Sequence, residues 1–264
     1  MDDIIESIFV KTYSAKENLP IPNPAHMVML HGWGQSHLFF HSLALSYQEE
    51  NNYTVILIDL PGFGKSKAPT MENDSIIWDS SDYANGIIKL LEKKGIKNCI
   101  LWGHSFGGKI SLHLAHKRPD LVDTLVIMGS SGLPRTRTWK EKARFKAIGT
   151  LGKCLKLIDK STPFEPWANW FSPKFASYDY KNSKGIMRKI LVKTIHENVT
   201  DMIQEIKLRR IFIVWGNEDT ETPVEVAYRF HKLLKNSQLI IIPHRGHLIL
   251  QNLSYQLIKH LVQL

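Results

Sequence analysis

The sequence predicts an α/β fold: a mostly parallel sheet flanked by helices, with a helical insertion late in the chain. Three observations predict it. Six short apolar runs of strand length are separated by stretches of helical periodicity. The runs are nearly continuous in apolar character rather than alternating, which is what strands covered on both faces require. The alternation then breaks between about Leu133 and Glu205, where no strand-like run occurs.

The elements follow in order. Ile5–Tyr13 alternates weakly and reads as an antiparallel edge strand. His26–Leu30, Tyr53–Ile58, Asn98–Trp102 and Val122–Met128 are four successive apolar strands. Asp82–Lys94 repeats Tyr83, Ile87, Leu90 and Leu91 at helical spacing, with Gly95 placed to cap its end. Gly108–Lys117 is a largely apolar helix. Beyond the break, Ile211–Trp215 and Gln238–Ile242 complete the strands. Val224–Leu234 follows Pro223, a residue suited to a helix start, and Leu248–Leu261 is the closing helix. Residues 1–132 and 206–264 therefore form the core domain, and 133–205 a helical cap rich in Trp, Phe, Lys and Pro. A structureless crossover of that length would be unusual.

A chain of 264 residues suits one large domain or a domain with an insertion. With 43% hydrophobic and 22% charged residues it can bury a core and is not globally disordered. Two cysteines, Cys99 and Cys154, exclude a disulfide scaffold. Together with the acidic opening Met1-Asp2-Asp3 they predict a cytoplasmic protein. No apolar run is long enough to span a membrane. The net charge is +9, and residues 133–160 hold nine basic residues against Glu141 and Asp159, a local balance of +7. No nucleic-acid module accompanies this block. It reads as a solvated cap face or as a surface for an acidic partner.

The sharpest chemical signal is Gly103-His104-Ser105-Phe106-Gly107-Gly108, placed between a strand and a helix. The glycines allow a tight turn that lifts Ser105 above the sheet as a nucleophile. The Phe106 N–H then faces the same space at a helix start, where negative charge is stabilised. A serine hydroxyl needs a base, and the base an orienting acid. Of twelve histidines, His247 is best placed, in a turn after the last strand, with His244 its neighbour and competitor. Asp219 is the first choice of acid, after the fifth of the six strands, and Glu218 the second. The loop His31-Gly32-Trp33-Gly34 supplies the Trp33 N–H as a second oxyanion donor. Asp59-Leu60-Pro61-Gly62-Phe63-Gly64-Lys65-Ser66 lacks the spacing of a phosphate loop and reads as structural. No zinc-ligand spacing is present.

Taken together, His31–Gly34, Asp59–Ser66, Gly103–Gly108, Asp219 and Gly246-His247 make the chain resemble the α/β-hydrolase fold family, its serine-nucleophile branch with a helical cap. The resemblance covers the whole chain. It implies an oxyanion loop, a structural loop, a nucleophile elbow, a triad acid and a triad base at those positions in turn. Branches with an aspartate nucleophile are disfavoured by Ser105. The first two segments are also similar to those of carboxylesterases that demethylate pimeloyl-carrier-protein methyl ester, although His104 stands where those enzymes often carry Trp.

The expected activity is hydrolysis of a small-molecule carboxylic ester with an apolar acyl part, by Ser105, His247 and Asp219, with no cofactor and no metal. A carrier-bound acyl methyl ester, with an acidic carrier protein at the basic cap, and a carbon–carbon bond substrate are alternatives within the same chemistry. A catalytically inactive binding module is the alternative outside it.

Overall fold

The computed structural model describes residues 2–22, 25–69, 77–134, 178–251, 257, 258 and 262. Its seven strands are β1 (Val10–Tyr13), β2 (His26–Leu30), β3 (Thr54–Ile58), β4 (Cys99–His104), β5 (Val122–Met128), β6 (Arg210–Gly216) and β7 (Ser237–Ile242). They form one sheet in the order β1-β3-β2-β4-β5-β6-β7. β1 runs antiparallel to β3, from Val10 opposite Ile58 to Tyr13 opposite Val55. Every other pair is parallel. The α/β fold with a mostly parallel sheet is thus as the apolar runs predict.

Each central strand feeds two cores, which is why its apolar character is continuous. On β2, Val28 and Leu30 enter one cluster, Met27 and Met29 the other. On β6, Ile211, Ile213 and Trp215 face one side and Phe212 and Val214 the opposite one. Helix α1 (Asp2–Glu6), α3 (Ser80–Lys93) and α4 (Phe106–Lys117) cover the first face, and α2 (His41–Asn51) the second. Full burial of one such Leu or Ile side chain contributes about 1.5–3 kcal/mol.

Helix α3 begins with a reciprocal cap: Asp79 accepts from the Asp82 N–H at 3.0 Å and Asp82 from the Asp79 N–H at 2.9 Å. It ends at Gly95, whose φ of +68° reverses the chain. Gly95 N–H then bonds the Glu92 carbonyl and Ile96 N–H the Leu91 carbonyl, the paired closure expected of a glycine at that point.

Three expectations differ from the structure. The edge strand starts at Val10, not Ile5, because Ile4 and Ile5 belong to α1 and bury in the core. Helix α2 has no counterpart in the sequence reading; it buries only Leu43, Ala44 and Tyr47, too narrow an apolar stripe to announce a helix. The closing helix does not begin at Leu248: Leu248–Gln251 forms turns, with Gln251 N–H bonded to the Leu248 carbonyl at 2.9 Å. Residues 257 and 258 are helical and the remainder of that span lies outside the described residues.

Of the 133–205 segment, residues 178–205 carry helices α5 (Tyr178–Asn182), α6 (Gly185–Ile195) and α7 (Thr200–Glu205), and no strand. The basic block from Arg135 to Lys160, with Trp139, lies outside the described residues, as does Cys154. Helix α8 (Val224–Leu233) covers β6 and β7, with Pro223 as its capping residue rather than in its first turn.

Candidate active site

The sequence-selected residues converge on the C-terminal ends of the parallel strands, the edge of the sheet where loops in open α/β folds gather ligands. Ser105 joins β4 to α4 with φ +52° and ψ −110°. A non-glycine residue held there is strained, and such strain clusters at functional turns. Close packing of glycines enforces the turn. A Cβ on Gly107 would collide with the main chain of Leu30 and His31, and one on Gly103 with Ser111 Oγ and the Gly107 carbonyl. Main-chain bonds pin the turn: Ser105 N–H donates to Met128 O at 2.9 Å, and Ser131 N–H to Ser105 O at 3.2 Å.

Asp219 and His247 meet. His247 Nδ1 lies 2.8 Å from Asp219 Oδ2. Asp219 is fully enclosed at its side chain, 0% exposed. Its other oxygen accepts from the N–H groups of Glu221 at 2.9 Å and Thr222 at 2.8 Å. Thr222 Oγ1 stands 2.9 Å from Oδ2, giving the carboxylate a fourth partner that sequence reasoning missed. Burial pushes the Asp219 pKa up, but the hydrogen bond and charge of His247 and the Thr222 donors outweigh it, so the carboxyl is held below its ordinary value.

The two second choices are elsewhere. His244 and Glu218 pair with each other at 3.1 Å on the surface, with side chains 89% and 60% exposed. Ser105 Oγ makes no hydrogen bond to His247 among the described residues; in unliganded sites such contacts are often long and tighten with substrate.

The two oxyanion candidates also come together. The Trp33 ring packs edge-on against Phe106 at 5.2 Å between centroids. Neither the Trp33 nor the Phe106 N–H has an acceptor among the described residues. The Trp33 indole does not simply wall the site: Nε1 donates to Ser183 Oγ at 3.2 Å and so ties the loop to the segment after α5. Asp179 of α5 stands beside Gly34. Burial and the Glu221 charge raise its pKa, with His247 opposing. Nothing local in the sequence marks either contact.

The Asp59–Ser66 loop holds its own anion. The buried Asp59 carboxylate accepts from Lys65 N–H at 2.9 Å and lies 2.9 Å from His37 Nδ1. A phosphate would have to displace it. Among the described residues no group of three or more His, Cys, Asp or Glu is placed to hold a metal ion. Lys109, on α4, is buried and pairs with Glu197 Oε2 at 2.9 Å. Glu197 also accepts from Ser80 N–H at 3.0 Å, so one carboxylate joins α4, α3 and the segment between α6 and α7. Removing one partner of a buried pair of this kind is strongly destabilising.

Two buried histidines give the protein an acid sensitivity of definite sign. His31 accepts from Leu60 N–H at Nε2, 3.0 Å, and its Nδ1 lies 2.7 Å from the Gly32 carbonyl, so the ring is neutral with its proton on Nδ1. Burial pulls His31 down to about 4 and His104 to about 3. An unfolded histidine takes up its proton near pH ~6.5, so between that value and about 4 the unfolded state binds more protons. The stabilisation is complete above about pH 6.5 and is lost as the pH falls, with a slope from the two groups of up to roughly 3 kcal/mol per pH unit. Urea midpoints measured between about pH 7.5 and 5 are expected to fall steadily below about 6.5; a flat midpoint across that range overturns the account.

Residues 25–251 match the family model described as alpha/beta hydrolase fold, and the chain belongs to that family. It is 27% identical over 256 residues to the uncharacterized hydrolase YugF of Bacillus subtilis, covering 88% of this chain and 87% of that one. To Lipase 1 of Psychrobacter immobilis it is 28% identical over 234 residues, 84% of this chain and 70% of the lipase. Among solved structures, an esterase from Exiguobacterium antarcticum superposes with a TM-score of 0.68 at 21% identity, covering 97% and 96% of the two chains. A meta-cleavage product hydrolase from Pseudomonas fluorescens gives 0.65 at 20% identity, covering 97% and 92%.

No helix among the described residues is long and apolar enough to cross a membrane. Cys99 is buried, and burial raises its thiol to about 12, leaving it unreactive.

Proposed function

We propose that the chain is a serine hydrolase acting on a small-molecule carboxylic ester through Ser105, His247 and Asp219. The observation that carries this reading is the enclosed Asp219–His247 pair at 2.8 Å, at the same sheet edge as the strained Ser105. The Nδ1–H of His247 donates to Asp219, which leaves Nε2 as the basic nitrogen. His247 takes the Ser105 proton as the oxygen attacks the ester carbonyl. The N–H groups of Trp33 and Phe106 hold the resulting oxyanion; losing one such donor costs about 3 kcal/mol of transition-state stabilisation. Protonated His247 passes its proton to the leaving alcohol, and water repeats the sequence to release the acid from the acyl-enzyme.

The name of the lipase relative supports an ester substrate with an apolar acyl part. The cap at 133–205 and a cytoplasmic location belong to the same reading and rest on the sequence. Short-chain 4-nitrophenyl esters and a fluorophosphonate label test it. The expected result is ester turnover together with covalent labelling at Ser105. Absence of both in the folded protein overturns the reading and favours a binding module on the same fold.

An acidic carrier partner rests on the basic block alone. Lys140 and Arg144 are four residues apart, a spacing that places like charges on one face of a helix. If the block meets a carrier, Lys140→Glu with Arg144→Glu raises KM for a carrier-bound ester and weakens its salt dependence. Hydrolysis of a small neutral ester stays within about twofold. No change with either substrate removes the carrier from the proposal.

A further inference from the structure

His104 takes no part in the steps above, yet it is fully buried beside them, 0% exposed. Its ring stacks on Phe39 at 4.3 Å between centroids. Nε2 lies 2.9 Å from the main-chain oxygen of His247. Nδ1 lies 3.1 Å from Oε1 of Gln35, the atom that accepts the Gly32 N–H at 2.8 Å. One imidazole therefore touches both the turn that carries the proposed base and the loop that carries a proposed oxyanion donor. It is also covalently next to the proposed nucleophile.

We propose that His104 is a positioning residue: as the neutral Nε2–H tautomer it fixes the His247 main chain against the nucleophile strand and, through Gln35, ties that point to the oxyanion loop. The proposal rests on the serine-hydrolase reading for its catalytic consequence, though not for its geometry.

The proton assignment follows from the partners. A main-chain carbonyl only accepts, so the 2.9 Å contact requires the proton on Nε2. Nδ1 is then bare. The Gln35 amide can meet it with an N–H by a half-turn of its last torsion, which gives up the bond from the Gly32 N–H; Gln35 then stays joined to the loop by its own main-chain N–H to the Gly32 carbonyl at 3.3 Å. A doubly protonated ring would donate to both oxygens as they stand, but full burial disfavours the cation at neutral pH.

The functional argument is one of tolerance. A displacement of about 1 Å at a reacting group costs on the order of a hundredfold in rate. The His247 carbonyl has another partner, the Ile249 N–H at 3.0 Å, but that bond is local and moves with the turn. A second main-chain bond, from the Glu218 N–H to the Arg245 carbonyl at 2.8 Å, holds the turn to the end of β6, and the bond from His104 refers it to β4, the strand that leads into Ser105.

Two variants separate a hydrogen-bonding role from ring packing. His104→Phe keeps an aromatic ring against Phe39 and removes the donor. His104→Gln gives up the ring and can return an N–H near the Nε2 position. The expected result is a fall in kcat of about tenfold to a hundredfold for His104→Phe, with KM within about threefold, and recovery to within about fivefold of wild type for His104→Gln. A kcat for His104→Phe within about twofold of wild type overturns the proposal, as does an equal loss in both variants. Should His104→Phe fail to fold, ¹⁵N correlation spectra of the wild-type imidazoles decide, with the His104 signals assigned by their loss in His104→Gln. A neutral Nε2–H ring at pH ~7 supports the proposal, and an Nδ1–H ring overturns it. Wild-type protein without ester turnover or serine labelling would sink the hydrolase reading instead, and the same spectra would still decide the tautomer.

Discussion

Ser105→Ala is expected to fold like the wild type and to lose ester hydrolysis by about four orders of magnitude or more. The main-chain bonds that hold the turn, from Ser105 N–H to Met128 O and from Ser131 N–H to Ser105 O, do not involve the side chain. Alanine keeps the Cβ, so the backbone at φ +52° is neither relieved nor further strained. The hydroxyl makes no hydrogen bond to a side chain among the described residues, and removing it leaves no buried partner stranded. Without it no acyl-enzyme forms, and only oxyanion stabilisation and binding remain. The measurement is turnover of a 4-nitrophenyl ester beside a thermal melt of the same sample. Near wild-type turnover in the purified variant would show that another residue is the nucleophile.

Asp219→Asn has the next largest expected effect, about four orders of magnitude in kcat. The carboxylate has four partners, and an amide can satisfy only some of them. Its oxygen would go to the two N–H donors of Glu221 and Thr222, at 2.9 and 2.8 Å. Its NH₂ would then face His247 Nδ1, now 2.8 Å from Oδ2. That forces Nδ1 to accept and moves the ring proton to Nε2, the nitrogen that must be bare to take a proton from serine. Glu218→Gln, whose exposed carboxylate pairs only with the exposed His244 among the described residues, should leave kcat within about twofold. The opposite ranking of the two variants would identify Glu218 as the acid.

Much of this arrangement is legible in the residue order because its causes are local. The strands announce themselves since each is buried on both faces, as Met27 to Leu30 are. The elbow does so because a close-packed turn needs Gly103 and Gly107. Asp219 and His247 can be selected because each follows a recognisable strand. The rest depends on contacts between distant segments. Nothing near Lys109 signals that it will bury against Glu197, nor anything near Trp33 that its indole will reach Ser183. His104 looks like a turn residue until its second nitrogen is seen against the His247 carbonyl. Helix α2 and the start of the last helix fail for a different reason: a stripe of three apolar side chains, or a short mixed run such as Leu248–Leu253, does not distinguish a helix from a turn.

The strand order has a consequence for a chain still emerging from the ribosome. β2 and β4, which carry the proposed oxyanion loop and the proposed nucleophile, are neighbours in the middle of the sheet, while β6 and β7 lie at one flank. Domains generally fold as units. A nascent chain synthesised as far as Met128 already contains the residues of five strands, the elbow and both proposed oxyanion donors. It holds neither Asp219 nor His247, which follow only after the long segment from 129 to 209 has been translated. On the proposed reading, Ser105 therefore has neither acid nor base while the larger part of the sheet is synthesised. Its proposed acid and base follow β6 and β7 in the chain, so ester turnover, on the proposed reading, requires both of those strands to be in place.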